Sequence, residues 1–328
     1  MDNKYQEAFK RMWKSLDKVS VYYQKSKYWF LFDAFYAYIR YGVTPNEYIG
    51  FCFFKLSRLE RNRFYTARHQ ARYENKFNAP AMADKFNRKE LTNVVFKDYI
   101  KRKWIYTASS SEEKIINFIN SHEKIIIKPI GLSSGKGIFT VTGNKNQKYD
   151  YLLEKLQVSS LSGTELLIEE FIKQHPKMAS LNSSSVNTIR IFTVRSKKDG
   201  VVDIISASIR VGGQGKDVDN YHAGGVGYPL DITTGVVKGA GADIVGGRHL
   251  YHPGTNIKVI GFEVPNWNKL LNIIPSLCDV VPDGRLIAWD IAVVLDNFEL
   301  IEANYLGDPG FMQTPSLEGF KKQILKYL

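Results

Sequence analysis

The chain has 328 residues, 44% of them hydrophobic and 24% charged, with only two cysteines, Cys52 and Cys278. That composition supplies a large core and room for two or three subdomains, and it excludes global disorder, a disulfide framework and a cysteine-based metal site. The formal net charge of +12 is one-sided: residues 1–104 carry 22 Lys and Arg against 10 Asp and Glu, whereas residues 105–328 hold 23 of each.

From Tyr5 to about Lys76, apolar residues recur at spacings of three and four with little Gly, which predicts several helices interrupted at Gly42 to Pro45. Lys4, Lys10, Arg11, Lys14 and Lys18 punctuate the start, so no export signal is expected. The longest apolar run, Tyr28 to Ile39, is about half a bilayer span and contains Asp33, so a spanning helix is not expected either. The cations and aromatics of this region, Trp13 and Trp29 among them, suit either packing between helices or attachment to anionic lipid or an acidic polysaccharide. Nucleic acid is not an expected partner. Two cysteines in apolar surroundings point to the reducing cytoplasm, with peripheral contact at the inner membrane face as an extension.

A mixed segment begins near Asp84-Lys85, and Ser110 with Glu113 fits a capping box ahead of Ile115, Ile116, Phe118 and Ile119. Lys124 to Lys128 reads as a buried strand stopped by Pro129. Ser133-Ser134-Gly135-Lys136-Gly137 separates it from a second strand at Ile138 to Val141, so this glycine loop is a hairpin connection and not the strand-to-helix turn of a P-loop. Lys128 ends its strand beside that loop. Its ammonium, with backbone N–H groups of Ser134, Gly135 and Gly137, makes either a phosphate site or an ordinary hairpin with a surface lysine.

The next strand, Leu166 to Ile172, carries Glu169 and Glu170 and offers an edge for an adenine, with Phe171 or Ile172 against the base. Strands follow at Thr188 to Val194 and Val201 to Val211. Arg190 alternates with Ile189 and Ile191 and so faces away from the apolar side; it and Arg210 bring paired donors suited to phosphate or carboxylate. The stretch Gly212 to Gly227 contains Asn220, His222, Gly224 and Gly225 and suits a ligand-covering loop, in which His222 is either an acid–base group or a hydrogen-bonder. A strand is expected at Tyr228 to Ile232, and His249 with His252 read as structural because no third ligand completes a set.

Near the end, Ala288-Trp289-Asp290-Ile291-Ala292 and Glu299 to Asn304 read as two strands joined by Asp296-Asn297. Carboxylates inside otherwise buried sequence require compensation, and oxygen-only ligands select a hard cation such as magnesium. Glu302 and Asn304 are two apart and share a face, making a metal platform with Asp290. The fold class expected is α+β, with a mostly antiparallel C-terminal sheet.

Together, Lys128 with Gly131 to Gly137, Glu169 to Ile172, Asn187-Thr188-Ile189-Arg190, Asp290 and Glu302-Ala303-Asn304 resemble the ATP-grasp superfamily. More narrowly, the chain from about Asp84 to Gln313 is similar to the sugar-transfer-associated branch found with polysaccharide biosynthesis. The resemblance implies an ATP-grasp fold, two α+β subdomains (81–172 and 173–328) sandwiching ATP, here preceded by a helical basic region, 1–80. It implies Lys85 and Lys128 on the ATP phosphates, Glu169, Glu170, Phe171 and Ile172 as adenine hinge, and Asp290, Glu302 and Asn304 holding Mg2+. Arg190 and Arg210 would lie where an acyl-phosphate forms, and Asn220 is grouped with them as catalytic. The implied activity is an ADP-forming carboxylate–amine ligase acting on a small-molecule or saccharide carboxylate and an amine-type acceptor. The alternatives are a kinase of a sugar or related small molecule and a non-catalytic nucleotide-binding scaffold. Two departures stand out: the first eighty residues look helical and basic where many ligases carry an open α/β domain, and Gln174-His175-Pro176 occupies the place of the usual ribose-binding acid.

Overall fold

The computed structural model describes residues 13, 16–17, 19–132, 136–143, 148–158, 163–221, 224–244 and 246–328. Strands β1 (Trp104–Tyr106), β2 (Lys124–Pro129), β3 (Phe139–Thr142) and β4 (Leu166–Glu170) form one antiparallel sheet in the order β1-β4-β2-β3. Strands β5 (Thr188–Arg195), β6 (Val202–Val211), β7 (Val226–Pro229), β8 (Gly241–Ala242), β9 (Arg248–His249), β10 (Leu286–Val293) and β11 (Phe298–Tyr305) form a second, in the order β11-β10-β5-β6-β7-β8-β9, every neighbouring pair antiparallel.

The smaller sheet is covered on one face only. Ile119 of helix Glu112–Ser121 and Leu152 of helix Lys148–Val158 pack on Ile125, Ile127, Val141, Leu166 and Ile168. Burial therefore alternates along β2, and Ile126 and Lys128 are left facing the other way. The cap of helix Glu112–Ser121 falls one residue later than the sequence suggested: the Ser111 hydroxyl, not that of Ser110, accepts from Lys114 N at 3.4 Å. Both acids of the first turn, Glu112 and Glu113, are then inside the helix, near its positive end.

The larger sheet is covered on both faces. Leu270, Ile274 and Leu277 of helix Trp267–Asp279 join the core that contains Ile189, Ile191, Ile209, Ile287, Trp289 and Ile291. The opposite face presents Phe192, Val194, Leu286 and Ala288 to Tyr65, Phe77, Met312, Phe320 and Ile324. With no wet face, β10 is buried along its whole length, which is why it reads as a continuous apolar run and not as an alternation. The expected strand at Tyr228 to Ile232 is displaced toward the N-terminus: β7 ends at Pro229, and Leu230 makes an isolated bridge to Val237.

The N-terminal region folds as helices about its own core, including Phe30, Ala37, Phe51, Phe53 and Phe64. Helix Lys27–Tyr41 stops at Gly42, whose φ of +68° and N–H bond to Tyr38 O make a left-handed cap. A Cβ there would also sit 2.3 Å from Arg68 Cβ. Asp33, the acid inside the longest apolar run, is turned inward, where Arg61 grips it with two bonds of 2.8 Å and the Tyr48 hydroxyl donates a third of 2.7 Å. Gln313 fastens this region to the larger sheet by exchanging hydrogen bonds with the Tyr65 backbone at 2.7 and 2.9 Å. Among the described residues, no helix is long and apolar enough to cross a membrane.

Candidate active site

A cavity of about 670 Å³ opens between the two sheets, with the N-terminal helices contributing a third wall. Strand register builds its polar floor. Asp290 pairs with Glu302 on one side and Arg190 on the other, and Arg190 pairs with Ser208, so Glu302, Asp290, Arg190 and Ser208 form a row across β11, β10, β5 and β6. Directly paired residues point to the same face of a sheet. A β-bulge makes this row possible. Between Val293 and Ile291 the hairpin pairs regularly, down to Ile291 with Leu300; Ile301 is then passed over, and Asp290 meets Glu302. Regular pairing would set Ile301 opposite Asp290 and turn Glu302 to the other face, toward the apolar core around Trp289.

Asp290 is fully engaged in this structure. Arg190 Nε and Nη2 donate to its two oxygens at 2.6 Å each, Arg210 Nη2 lies 3.2 Å from Oδ2, and Asn304 Nδ2 donates at 3.3 Å. Burial pushes the Asp290 carboxyl up, but the guanidiniums of Arg190 and Arg210 outweigh it and hold the pKa below the usual carboxylate range. Glu302 is different. It lines the cavity with no hydrogen-bond or ion-pair partner among the described residues, and burial, then the nearby Asp290 charge, push its pKa up. Among the described residues no group of three or more His, Cys, Asp or Glu side chains is placed to hold a metal ion; the oxygen donors here are two carboxylates and the Asn304 amide.

The smaller sheet supplies a cationic wall. Lys128 pairs with Glu169, which is completely buried and also accepts from Arg102 Nη2 at 2.9 Å and Asn93 Nδ2 at 2.8 Å. Burial works against the Glu169 charge, yet Arg102 and Lys128 hold its carboxyl well below the ordinary range. Arg102 reaches on to Glu299 at 3.0 Å and to Leu300 O at 2.8 Å, bolting the smaller sheet to the β10–β11 hairpin of the larger one. Lys89 lines the same wall and donates to Leu132 O at 2.7 Å; burial lowers its ammonium pKa against the pull of Glu302.

Beyond the row, Phe311 carries the Arg190 guanidinium 4.3 Å from its ring centroid, that of Arg210 at 5.6 Å, and the Tyr221 ring at 4.2 Å. Arg210 is further fixed by Asp219 at 3.1 Å and by donation to the Thr188 hydroxyl at 3.0 Å. A Cβ on Gly227 would fall 2.1 Å from the Tyr221 hydroxyl, so only glycine lets this ring lie where it does. The far end of the cavity is formed by Thr44, Glu47 and Gln70 from the N-terminal helices together with Asp308. Glu47 caps its own helix and accepts from Ala67 N at 2.8 Å, and burial raises its pKa to about 7.

Of the residues singled out from sequence, Lys128, Glu169, Glu170, Phe171, Ile172, Arg190, Arg210, Asn220, Glu302 and Asn304 all line the cavity, and Asp290 lies buried just beneath it. Ser134, Gly135 and His222 fall outside the described residues. Lys85 is elsewhere: it is exposed on helix Ala83–Asn87 and does not line the cavity, whereas Lys89, one turn later, does. Glu169 is a buried ion-pair centre, and the Phe171 ring is covered by the Lys124 ammonium at 3.6 Å. Arg190 faces away from the apolar core as expected but is buried, because Phe311 and Asp290 enclose it. Sequence reasoning passed over Lys89, Arg102, Asp219, Tyr221, Phe311 and Glu47. The acids Glu299 and Glu302, three apart on a strand whose side chains should alternate by two, were the available sign of the bulge.

A model of the family described as sugar-transfer associated ATP-grasp matches residues 65–326. Among solved structures, the chain is similar to the ATP-grasp ligase PsnB complexed with a phosphomimetic variant of its minimal precursor, Mg and ADP (11% identity, 79% of this chain and 64% of that one, TM-score 0.46). It is also similar to D-alanyl-alanine synthetase A from Vibrio cholerae O1 biovar eltor (13%, 75% and 60%, TM-score 0.42) and to D-alanine-D-alanine ligase from Helicobacter pylori (17%, 74% and 56%, TM-score 0.40). The chain spans less than two-thirds of the length of each of these three structures. The sequence finds no match among curated proteins.

Proposed function

The chain belongs to the sugar-transfer associated ATP-grasp family, and from that premise we propose that it is an ATP- and magnesium-dependent ligase joining a carboxylate to an amine. The observation that carries this reading is the cavity itself: cations on one wall, Lys128 of β2 and Lys89 at the start of helix Lys89–Val95, face a row of oxygen donors and guanidiniums on the larger sheet. The triphosphate suits that cationic wall, and the segment Glu169 to Ile172, at the end of β4, suits the base.

The donor set fits magnesium. Asp290, Glu302 and Asn304 offer oxygen only, and Glu302 is an acid without a protein partner among the described residues. When bound, the ion neutralises phosphate charge as phosphoryl transfer proceeds. The other roles belong to the protein. Lys128 and Lys89 hold phosphate oxygens, and Arg190 and Arg210, stiffened on Phe311, orient the acid beside the γ-phosphate. A carboxylate oxygen bonds to the γ-phosphorus as its bond to the β,γ-bridging oxygen breaks, releasing ADP. The amine then bonds to the acyl carbon, loses a proton and expels inorganic phosphate. Asn220, in the covering loop, supplies a polar group near the reacting atoms. We place this activity in surface-polysaccharide assembly, on the cytoplasmic side of the membrane and in peripheral contact with it, with a small-molecule or saccharide carboxylate as the activated substrate.

Purified protein incubated with ATP, MgCl2, pooled sugar acids and pooled amines should release free phosphate only when both pools are present. A kinase would leave phosphate on its product, and a scaffold would show no substrate-dependent turnover. Glu302→Gln should retain its circular dichroism spectrum and lose at least about 100-fold in rate, in line with loss of an electrostatic contribution to the transition state; full activity in that variant would remove Glu302 from the metal site.

A further inference from the structure

Helix Lys27–Tyr41 buries one apolar face and leaves another in solvent. Phe30, Ala37 and Tyr41 seat it on the N-terminal core. On the opposite side Tyr28, Phe32, Phe35 and Ile39, spaced by four, three and four, form a stripe and are 65%, 73%, 63% and 56% exposed. Trp29, Tyr36 and Tyr38 flank it, and Val21 and Tyr22, just before the helix, are exposed as well. Nine of the 21 exposed large hydrophobics among the described residues thus fall between positions 21 and 39, a concentration that marks an interaction surface and not scattered surface apolarity.

The charges around the stripe select the occupant. The helix has one acid, Asp33, and it is turned inward onto Arg61. Cations frame the stripe: Lys25 sits 4.4 Å over the Trp29 ring, Arg40 is exposed beside Ile39, and exposed Arg68 donates to Tyr38 O and Ile39 O at 2.8 and 3.0 Å. A second copy of the chain would bring two strongly basic regions face to face, since the whole excess of +12 resides in residues 1–104. An anionic bilayer satisfies both features, aromatic rings at headgroup depth and cations on phosphate. At 15 residues the helix is about 22 Å long, too short to span the hydrocarbon core but able to lie in its plane.

We propose that the Tyr28, Phe32, Phe35 and Ile39 face of this helix is an interfacial anchor that seats the protein on an anionic phospholipid surface. The assignment gives the peripheral contact proposed above a definite surface and does not depend on the ligase chemistry. Flotation with phosphatidylcholine vesicles, with and without one-quarter phosphatidylglycerol, tests it. Wild-type protein should bind the anionic vesicles at least about tenfold more tightly than the neutral ones. Phe32→Ser/Phe35→Ser and Lys25→Glu/Arg40→Glu should each lose at least about tenfold of that binding, with unfolding temperature and Mg–AMPPNP affinity unchanged. Three outcomes would overturn the proposal: no binding of wild-type protein to anionic vesicles, binding by both variants as tight as that of wild type, or a wild-type dimer in sedimentation that the phenylalanine variant converts to monomer, which would mark the stripe as a self-association surface.

Discussion

At the scale of single residues, the cavity holds two acids whose burial is compensated in opposite ways. Asp290 keeps its charge because two arginines share it, whereas Glu302, beside it in the row, has only distant cations and is pushed toward its neutral form. A divalent ion there would compensate Glu302 and would compete with Arg190 and Arg210 for Asp290, freeing their guanidiniums for an anionic substrate. Glu47, at the far end, gives a prediction with a defined sign. Its pKa rises from 4.5 to about 7 in the folded state, chiefly through burial. The native state therefore binds more protons than the unfolded chain across that window, and stability falls as pH rises through it, by on the order of 3 kcal/mol in full. His69, pushed down to about 4 by burial, has the opposite slope below its unfolded value of 6.5, so the Glu47 contribution is read as a difference between two proteins. In thermal denaturation, Glu47→Gln should gain on wild type steadily from pH 5 to pH 8; a constant difference would show that Glu47 titrates like an exposed acid.

At the scale of elements, much was legible in the sequence. The strands at Lys124, Leu166, Thr188 and Val202, the hairpin turn at Asp296-Asn297 and the helical character of the described residues up to about 80 all follow from periodicity and turn chemistry. The bulge at Ile301 was not, because a bulge is a choice between registers made by packing on both faces of a sheet: Leu300 and Ala303 must both reach the core around Trp289 while Glu299 and Glu302 take the other face, Glu299 against Arg102 and Glu302 in the cleft. Lys89 over Lys85 was hidden for a similar reason, since helical phase decides which lysine looks inward, and short helices give too few apolar positions to fix it. The buried cluster of Arg102, Glu169 and Glu299 joins β4 to β11 through residues far apart in the chain, which no local pattern announces. Its consequence is mechanical. Arg102→Met leaves two buried carboxylates each short of a partner and should destabilise the protein by about 3–5 kcal/mol in urea denaturation. A loss under about 1 kcal/mol would mean that water reaches Glu169 despite its complete burial.

At the scale of the whole molecule, charge and architecture divide the labour. Residues 105–328 balance their charges and contain, apart from Trp104, the two sheets with Lys128, Arg190, Arg210, Asp290, Glu302 and Asn304, while the basic N-terminal region adds the third wall of the cavity and an outward apolar stripe. The two sides of the cleft are cross-linked at several points: Arg102 to Glu299, Thr140 to Asp217 at 2.8 Å, and His175 N to Val293 O at 2.7 Å. A ligand that bridges Lys128 on one sheet and Glu302 on the other must therefore feel both walls at once. Isothermal titration with the non-hydrolysable nucleotide Mg–AMPPNP tests this directly. One site per chain is expected, requiring magnesium and weakened at least about tenfold by Lys128→Met and, separately, by Glu302→Gln, each substitution removing one charged contact. Absence of saturable binding, or affinity indifferent to both substitutions, would contradict it.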